Sequence, residues 1–211
     1  KRWVDLMSKT ASDLDAVIKD LNKVLDLRNE PDQYLELVDL AAEWQQSISL
    51  LQDSLTGQEE IAASFDALPR IISVRAMLQS TFYNLLSNAI KFRSPERKLR
   101  VVATSRVIDG KVIIEVADNG LGFDTRLHKE NMFKLYKRFH THVEGRGIGL
   151  YLIKAQIEVL HGTIEVESEL DHGSLFRVTL PLVIQESNSH LSAREKIEIQ
   201  IPRSGAKSVK K

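Results

Sequence analysis

Asn84, Asn88 and Lys91 lie in the stretch NLLSNAIKF, residues 84–92, spaced four and then three apart. On a helix that spacing puts all three on one face. Asparagine is a poor helix former, so two of them on a helix ask for a reason. Two amide oxygens and an ammonium aimed the same way suit a Mg²⁺–phosphate group, because Mg²⁺ takes hard oxygen ligands. A solvated polar face is the plainer alternative. A second cluster is ADNGLGFD, residues 117–124. Asp118 there offers a carboxylate at a strand end, suited to the exocyclic amine of an adenine ring. Gly120 and Gly122 would let backbone approach a flat ligand; a simple Asp-Asn-Gly turn would use the same residues. A third is EGRGIGLYLI, residues 144–153, with glycines at 145, 147 and 149. The amides of Gly147, Ile148 and Gly149 at a loop-to-helix turn could face an anion, unless the glycines serve only close packing at a helix start. No Lys-Ser/Thr follows, which excludes a P-loop. The spacing is G-x-G-x-G after a polar HTHVE, which excludes the dinucleotide fingerprint. No HRD…N loop follows either.

These clusters need elements to hold them. Residues 75–92 read as a helix, with Leu85, Leu86, Ala89 and Ile90 on the side opposite the asparagines. Residues 99–108 and 111–117 alternate as strands around Asp109-Gly110, a hairpin signal. Residues 148–160 read as a helix, and 163–168 and 174–180 as strands around His172-Gly173. Upstream, 34–38, 59–65 and 70–73 are strand segments, and 40–55 is a helix with Trp44, Ile48 and Leu51 on one face. Residues 118–146 are too long for an ordinary connection, and lie between two glycine clusters, which favours a lid. Residues 2–28 carry Val4, Met7, Ala11, Leu14, Ile18, Leu21 and Leu25 in alternating steps of three and four. That heptad seam is the pattern of a coiled coil or helix bundle. The division expected is a helix over 1–30, a mixed α/β domain over 31–184 and a polar tail over 185–211, in which KIEIQI at 196–201 alternates like a strand.

The chain has 211 residues with equal numbers of basic and acidic side chains, 29 each. No global field draws it to nucleic acid or a membrane surface. Cysteine is absent, which removes disulfides and thiolate chemistry and suits a reducing compartment. No apolar run reaches the roughly 20 residues of a membrane span. The expectation is a cytoplasmic region with no membrane contact of its own, which leaves open an anchor elsewhere in a longer protein.

NLLSNAIKF, DNGLGFD, MFKLYKRFH, EGRGIGL and HGSLFRVTLP stand in the order of the N box, first glycine box, F box, second glycine box and last glycine element of bacterial sensor histidine kinases. Over about 32–182 the chain resembles their catalytic ATP-binding domain, of the GHKL superfamily, and the KRFH version is similar to phytochrome-like members. LDAVIKDLNKVLDLR resembles the second helix of the family's dimerisation domain.

The resemblance implies an α+β, two-layer α/β sandwich, the Bergerat ATP-binding fold, preceded by one long dimerisation-type helix. It implies ATP and Mg²⁺ as cofactors. Asp118 would hold the adenine amine, and Gly120 and Gly122 would shape its pocket. Asn88, with Asn84 beside it, would bind Mg²⁺, and Lys91 would meet phosphates. Gly145, Gly147 and Gly149, with Ile148 and Leu150, would bound the triphosphate, and Arg138 would neutralise γ-phosphate charge. Phe133 and Tyr136 would fasten the lid to a neighbouring domain. Two details depart from the family pattern: HGT at 161–163 replaces a glycine pair, and Arg93 stands where a small hydroxyl residue is common.

Six histidines are present, at 128, 140, 142, 161, 172 and 190, none on or before the first helix. The phosphoacceptor histidine is therefore expected upstream of this chain, on a helix domain that would be one partner, with a response regulator as another. Two copies would form a homodimer through the first helix. The alternative is a non-catalytic nucleotide-binding regulatory module of the same fold. Gyrase-like ATPases need a water-activating glutamate one turn before the Mg²⁺ asparagine, and here that position is Asn84.

Overall fold

A computed structural model of the chain describes residues 31–128, 132–134 and 147–183. The heptad helix over 1–30, the lid positions Tyr136, Arg138 and Gly145, and the tail with its KIEIQI run lie outside the described residues.

A short 3-10 turn, Pro31–Tyr34, leads into β1, Leu35–Asp39, and α1, Leu40–Leu50. Asp39 caps α1 by accepting the Ala42 amide at 3.0 Å, a stabilising use of its carboxylate at a positive helix end. The helix stops earlier than its apolar pattern suggests. The Leu51 amide donates to Ile48 oxygen at 3.1 Å, an i→i+3 bond that tightens the last turn. A 3-10 turn over Gln52–Ser54 follows, where short polar side chains replace the apolar stripe. Next come β2, Glu60–Ser64, and β3, Arg70–Val74. The long helix α2 spans Arg75–Lys91. The strands β4, Arg100–Ile108, and β5, Lys111–Asp118, meet at Asp109-Gly110. Both turn residues have positive φ, 50° and 70°, which a type I′ hairpin requires and Asp-Gly supplies at low cost. A single turn α3, Thr125–His128, precedes α4, Gly149–Val159, and then β6, Thr163–Glu169, and β7, Gly173–Pro181.

The strands form two sheets. β1 and β3 pair antiparallel by themselves, while the main sheet has the order β2-β4-β5-β7-β6. β2 runs parallel to β4, and the other neighbours are antiparallel. One face of the main sheet presents Val101, Ala103, Val112, Ile114, Val116, Phe176, Val178 and Leu180 to the core. Against it pack Trp44 of α1, Met77, Phe82 and Leu86 of α2, and Ile153 and Ile157 of α4. Trp44 and Phe82 meet edge-on with ring centroids 5.5 Å apart. Fully burying a side chain of this size contributes about 1.5–3 kcal/mol. This is the two-layer α/β sandwich the motifs imply. The opposite face of the sheet is charged. Glu115 accepts from Arg106, and from Arg177 at 2.7 Å, while Arg177 also donates to Glu167 at 2.9 Å.

Candidate functional site

Asp118 closes β5 opposite Ser174 at the start of β7. The chain must turn there. The Gly120 amide donates back to Asp118 Oδ1 at 2.8 Å, and the Leu121 amide donates to Phe92 oxygen, just past the end of α2, at 2.8 Å. A Cβ on Gly120 would lie 2.6 Å from that same Phe92 oxygen. Gly122 sits at φ 57°, and its Cβ would press on the Glu169 carbonyl and come within 2.8 Å of the Gly173 carbonyl. Both glycines are thus demanded first by the protein's own backbone: the turn after β5 interlocks with the β6–β7 turn. Burial pushes the Asp118 carboxyl above its ordinary value. Amides of Gly120 and Ser174 and the nearby Arg97 charge act in the opposite direction.

α2 supplies the second group. Its buried stripe of Met77, Leu78, Thr81, Phe82, Leu85, Leu86, Ala89 and Ile90 turns Asn84 and Asn88 outward, both half-buried. Asn84 Nδ2 donates to Ser80 oxygen at 2.8 Å, which fixes the amide so that Oδ1 is left for other partners. That oxygen is 3.0 Å, and Asn88 Nδ2 3.9 Å, from where a Cβ on Gly149 would stand. Both asparagines therefore converge on the first residue of α4. Lys91 lies over the Phe92 ring, 5.4 Å from its centroid.

α4 is the third. Gly147 has φ 68°, and Ile148 is buried at the N-cap position, where among the described residues no side chain caps the helix. The helix begins at Gly149 rather than at Ile148, so its first-turn amides are those of Gly149, Leu150 and Tyr151. Its positive end points toward the asparagines. Gln156 Nε2 donates to Ser80 Oγ at 3.0 Å and ties α4 to α2 beneath them. Phe133, one of the two residues expected to fasten the lid elsewhere, meets Lys154 of α4, 6.0 Å from Nζ to its ring centroid. Its neighbour Met132 is buried.

The described members of the expected set, Asn84, Asn88, Lys91, Asp118, Gly120, Gly122, Gly147, Ile148, Gly149 and Leu150, thus cluster at one end of the sandwich. Arg138 and Gly145 lie outside the described residues. Three polar residues absent from that expectation hold the cluster's frame. Asn119 accepts the Arg100 amide at 2.8 Å and donates to Lys98 oxygen at 2.9 Å. Arg97 donates to the oxygens of Asn119, Gly120 and Asp171, each at 2.6 Å. Ser168 accepts the Phe123 amide at 2.9 Å and donates to Gly173 oxygen at 2.7 Å. The turn-forming habit of Asn-Gly could have signalled Asn119; nothing local marks Arg97 or Ser168.

Residues 73–184, more than half the chain, match the family of histidine kinase-, DNA gyrase B-, and HSP90-like ATPases, and the chain belongs to that family. Cyanobacterial phytochrome A of Nostoc sp. is 38% identical over 119 residues, covering 56% of this chain and 15% of the relative. The adaptive-response sensory kinase SasA of Synechocystis sp. is 28% identical over 188 residues, 86% of this chain and 46% of the relative. Among solved structures, a mycobacterial sensor histidine kinase, MprB, superposes with a TM-score of 0.60 at 22% identity, over 70% of this chain and 97% of that one. Full-length ShkA in complex with AMPPNP gives 0.66 at 24% identity, over 85% of this chain and 38% of that one; at these identities the likeness is one of fold. The chain spans less than half the length of both curated relatives. Within that family, the chain is similar to the ATP-binding region of sensor histidine kinases.

Proposed function

We propose that this region binds Mg-ATP and presents its γ-phosphoryl group to a histidine on a separate helix domain, from which a response regulator is phosphorylated. The observation that carries the reading is a half-buried carboxylate at the end of β5, together with two asparagine side chains of α2 that converge on the first residue of α4, where among the described residues no side chain caps the helix. Asp118 accepts from the adenine amine. Asn88, with Asn84, would hold Mg²⁺ through amide oxygens of the hard kind the ion prefers, and the ion would supply positive charge to offset that of the phosphates. Lys91 meets the phosphates, Gly147 and the first turn of α4 cradle them, and Gly145 and Arg138, outside the described residues, are assigned to the triphosphate and its γ-phosphate charge by the family resemblance. In the transfer, the bond between the γ-phosphorus and its bridging oxygen breaks as a bond to an imidazole nitrogen forms, and ADP leaves. The protein supplies position and charge neutralisation rather than covalent chemistry.

The test pairs the chain with a separately supplied acceptor-helix domain and assays phosphohistidine. Labelling that disappears in Asn88→Ala, together with Mg-ATP binding weakened about 100-fold or more, is the expected result. Mg-ATP binding without labelling of any acceptor would favour the regulatory-module reading; unchanged binding in Asn88→Ala would refute the site. The reading also includes a cytoplasmic setting and pairing of two copies through the seam of Val4, Met7, Ala11 and Leu14. Light scattering across a concentration series should then give twice the chain mass, and a strict monomer at high concentration would reject the pairing.

A further inference from the structure

Arg97 spends three donors on main-chain oxygens. Nε reaches Asn119 oxygen, and Nη2 reaches Gly120 and Asp171 oxygens, all at 2.6 Å. Asn119 and Gly120 follow Asp118 directly, while Asp171 lies in the β6–β7 turn about fifty residues on. The clasp is reciprocal, because the Asn119 side chain bonds the backbone of Lys98 and Arg100 on either side of Leu99. The Asp171 amide adds a 2.6 Å bond to Leu121 oxygen between the same two turns. Asp171 itself has φ 63°, a backbone state that a non-glycine residue keeps only when its surroundings hold it. A planar guanidinium can bridge three carbonyls in fixed directions; a lysine ammonium is a single point on a flexible stem.

We propose that Arg97 is a positioning residue for nucleotide selectivity: by clamping the 119–120 turn to the 171 turn, it holds the Asp118 carboxylate at the place and angle that recognise an exocyclic amine. This rests on the reading of Asp118 as the adenine partner. The Arg97 charge also favours the ionised, accepting form of Asp118 against the burial that opposes it. A plain fold staple would make a different prediction, lowering the affinity of all nucleotides equally. A positioning residue lowers affinity for the purine whose amine Asp118 reads, and leaves other purines little changed.

The experiment measures Mg²⁺-dependent affinity of the whole chain for ATP and for inosine triphosphate, which has a carbonyl in place of the amine. Wild type, Arg97→Lys, Arg97→Ala and Asp118→Asn are compared, with circular dichroism confirming the fold. Wild type should prefer ATP by about 10-fold or more, the scale of one lost directed polar contact. Arg97→Ala should lose most of that preference by weakening ATP, with inosine triphosphate changed about 3-fold or less, and Arg97→Lys should recover only part of it. If Arg97→Ala fails to fold, Arg97→Lys decides. If Asp118→Asn keeps the wild-type preference, the adenine reading fails and the proposal falls with it. If Asp118→Asn abolishes the preference while the folded Arg97 variants retain it, the adenine reading stands and the role of Arg97 is overturned.

Discussion

Gly122 carries a requirement that no other residue type meets. Its φ of 57° and the closeness of the Glu169 and Gly173 carbonyls leave no room for a side chain. Gly122→Ala should cost about 2–4 kcal/mol, combining backbone strain with a forced separation of two turns. A thermal or denaturant melt reads the loss, and a change under 1 kcal/mol would mean the turns do not interlock as described. The glycines of DNGLGFD were legible in the sequence as places of close approach. What they approach was not. A sequence suggests a ligand because ligands are what glycine loops are known for. The structure gives Phe92, Glu169 and Gly173 carbonyls, residues about 30 to 50 positions away. Arg97 was invisible for the same reason: its partners are main-chain oxygens, which carry no residue-type signature.

Between elements, the asparagines depend on how closely α4 approaches α2. Gly149 permits that approach, since even a methyl group there would stand 3.0 Å from Asn84 Oδ1. Gly149→Ala favours the helix by about 1 kcal/mol in intrinsic propensity, so the melting temperature should hold or rise. Mg-ATP affinity should nevertheless fall about 5-fold or more, because the Asn84 amide or the helix end must shift. Calorimetric titration beside a melt separates the two effects, and unchanged affinity would show that the gap is not needed. Elements governed by local chemistry were legible: the Asp109-Gly110 hairpin, the stripe of α2, the strand pair at 163–181. The 40–55 helix was overrun because apolar Leu51 and Leu55 continued the pattern past the point where Gln52, Asp53 and Ser54 turn the chain. The separate β1–β3 sheet was beyond reach, since pairing between 35–39 and 70–74 is set by tertiary packing.

Across the molecule, the two sheet faces hold together by different means. The inner face is apolar, and the outer carries the Arg106–Glu115–Arg177–Glu167 array. Hydrogen bonding to Arg106, and then to Arg177, holds the Glu115 carboxyl down at about 2 from its ordinary 4.5, against the opposing effect of burial. A carboxylate lowered on folding adds stability that is complete above its unfolded pKa and lost as pH falls through the folded one. Glu115→Gln should therefore destabilise the protein by about 1–2 kcal/mol at pH 7, after allowing for partly exposed arginines. That difference should shrink from pH 4.5 downward and vanish near pH 2. Denaturant melts at several pH values measure it, and a pH-independent difference would reject the ion-pair account.

Among the described residues, β6 is the last strand in the order of the main sheet, and Thr163, Glu165, Glu167 and Glu169 lie exposed along it. Such a strand offers unpaired amides and carbonyls to any passing extended chain. Three carboxylates at alternate positions make that rim repel its own copy, since two such strands laid side by side would bring like charges together in a row. Glu165 and Glu167, which also meet Arg177, thereby help guard the protein against growing its sheet from molecule to molecule.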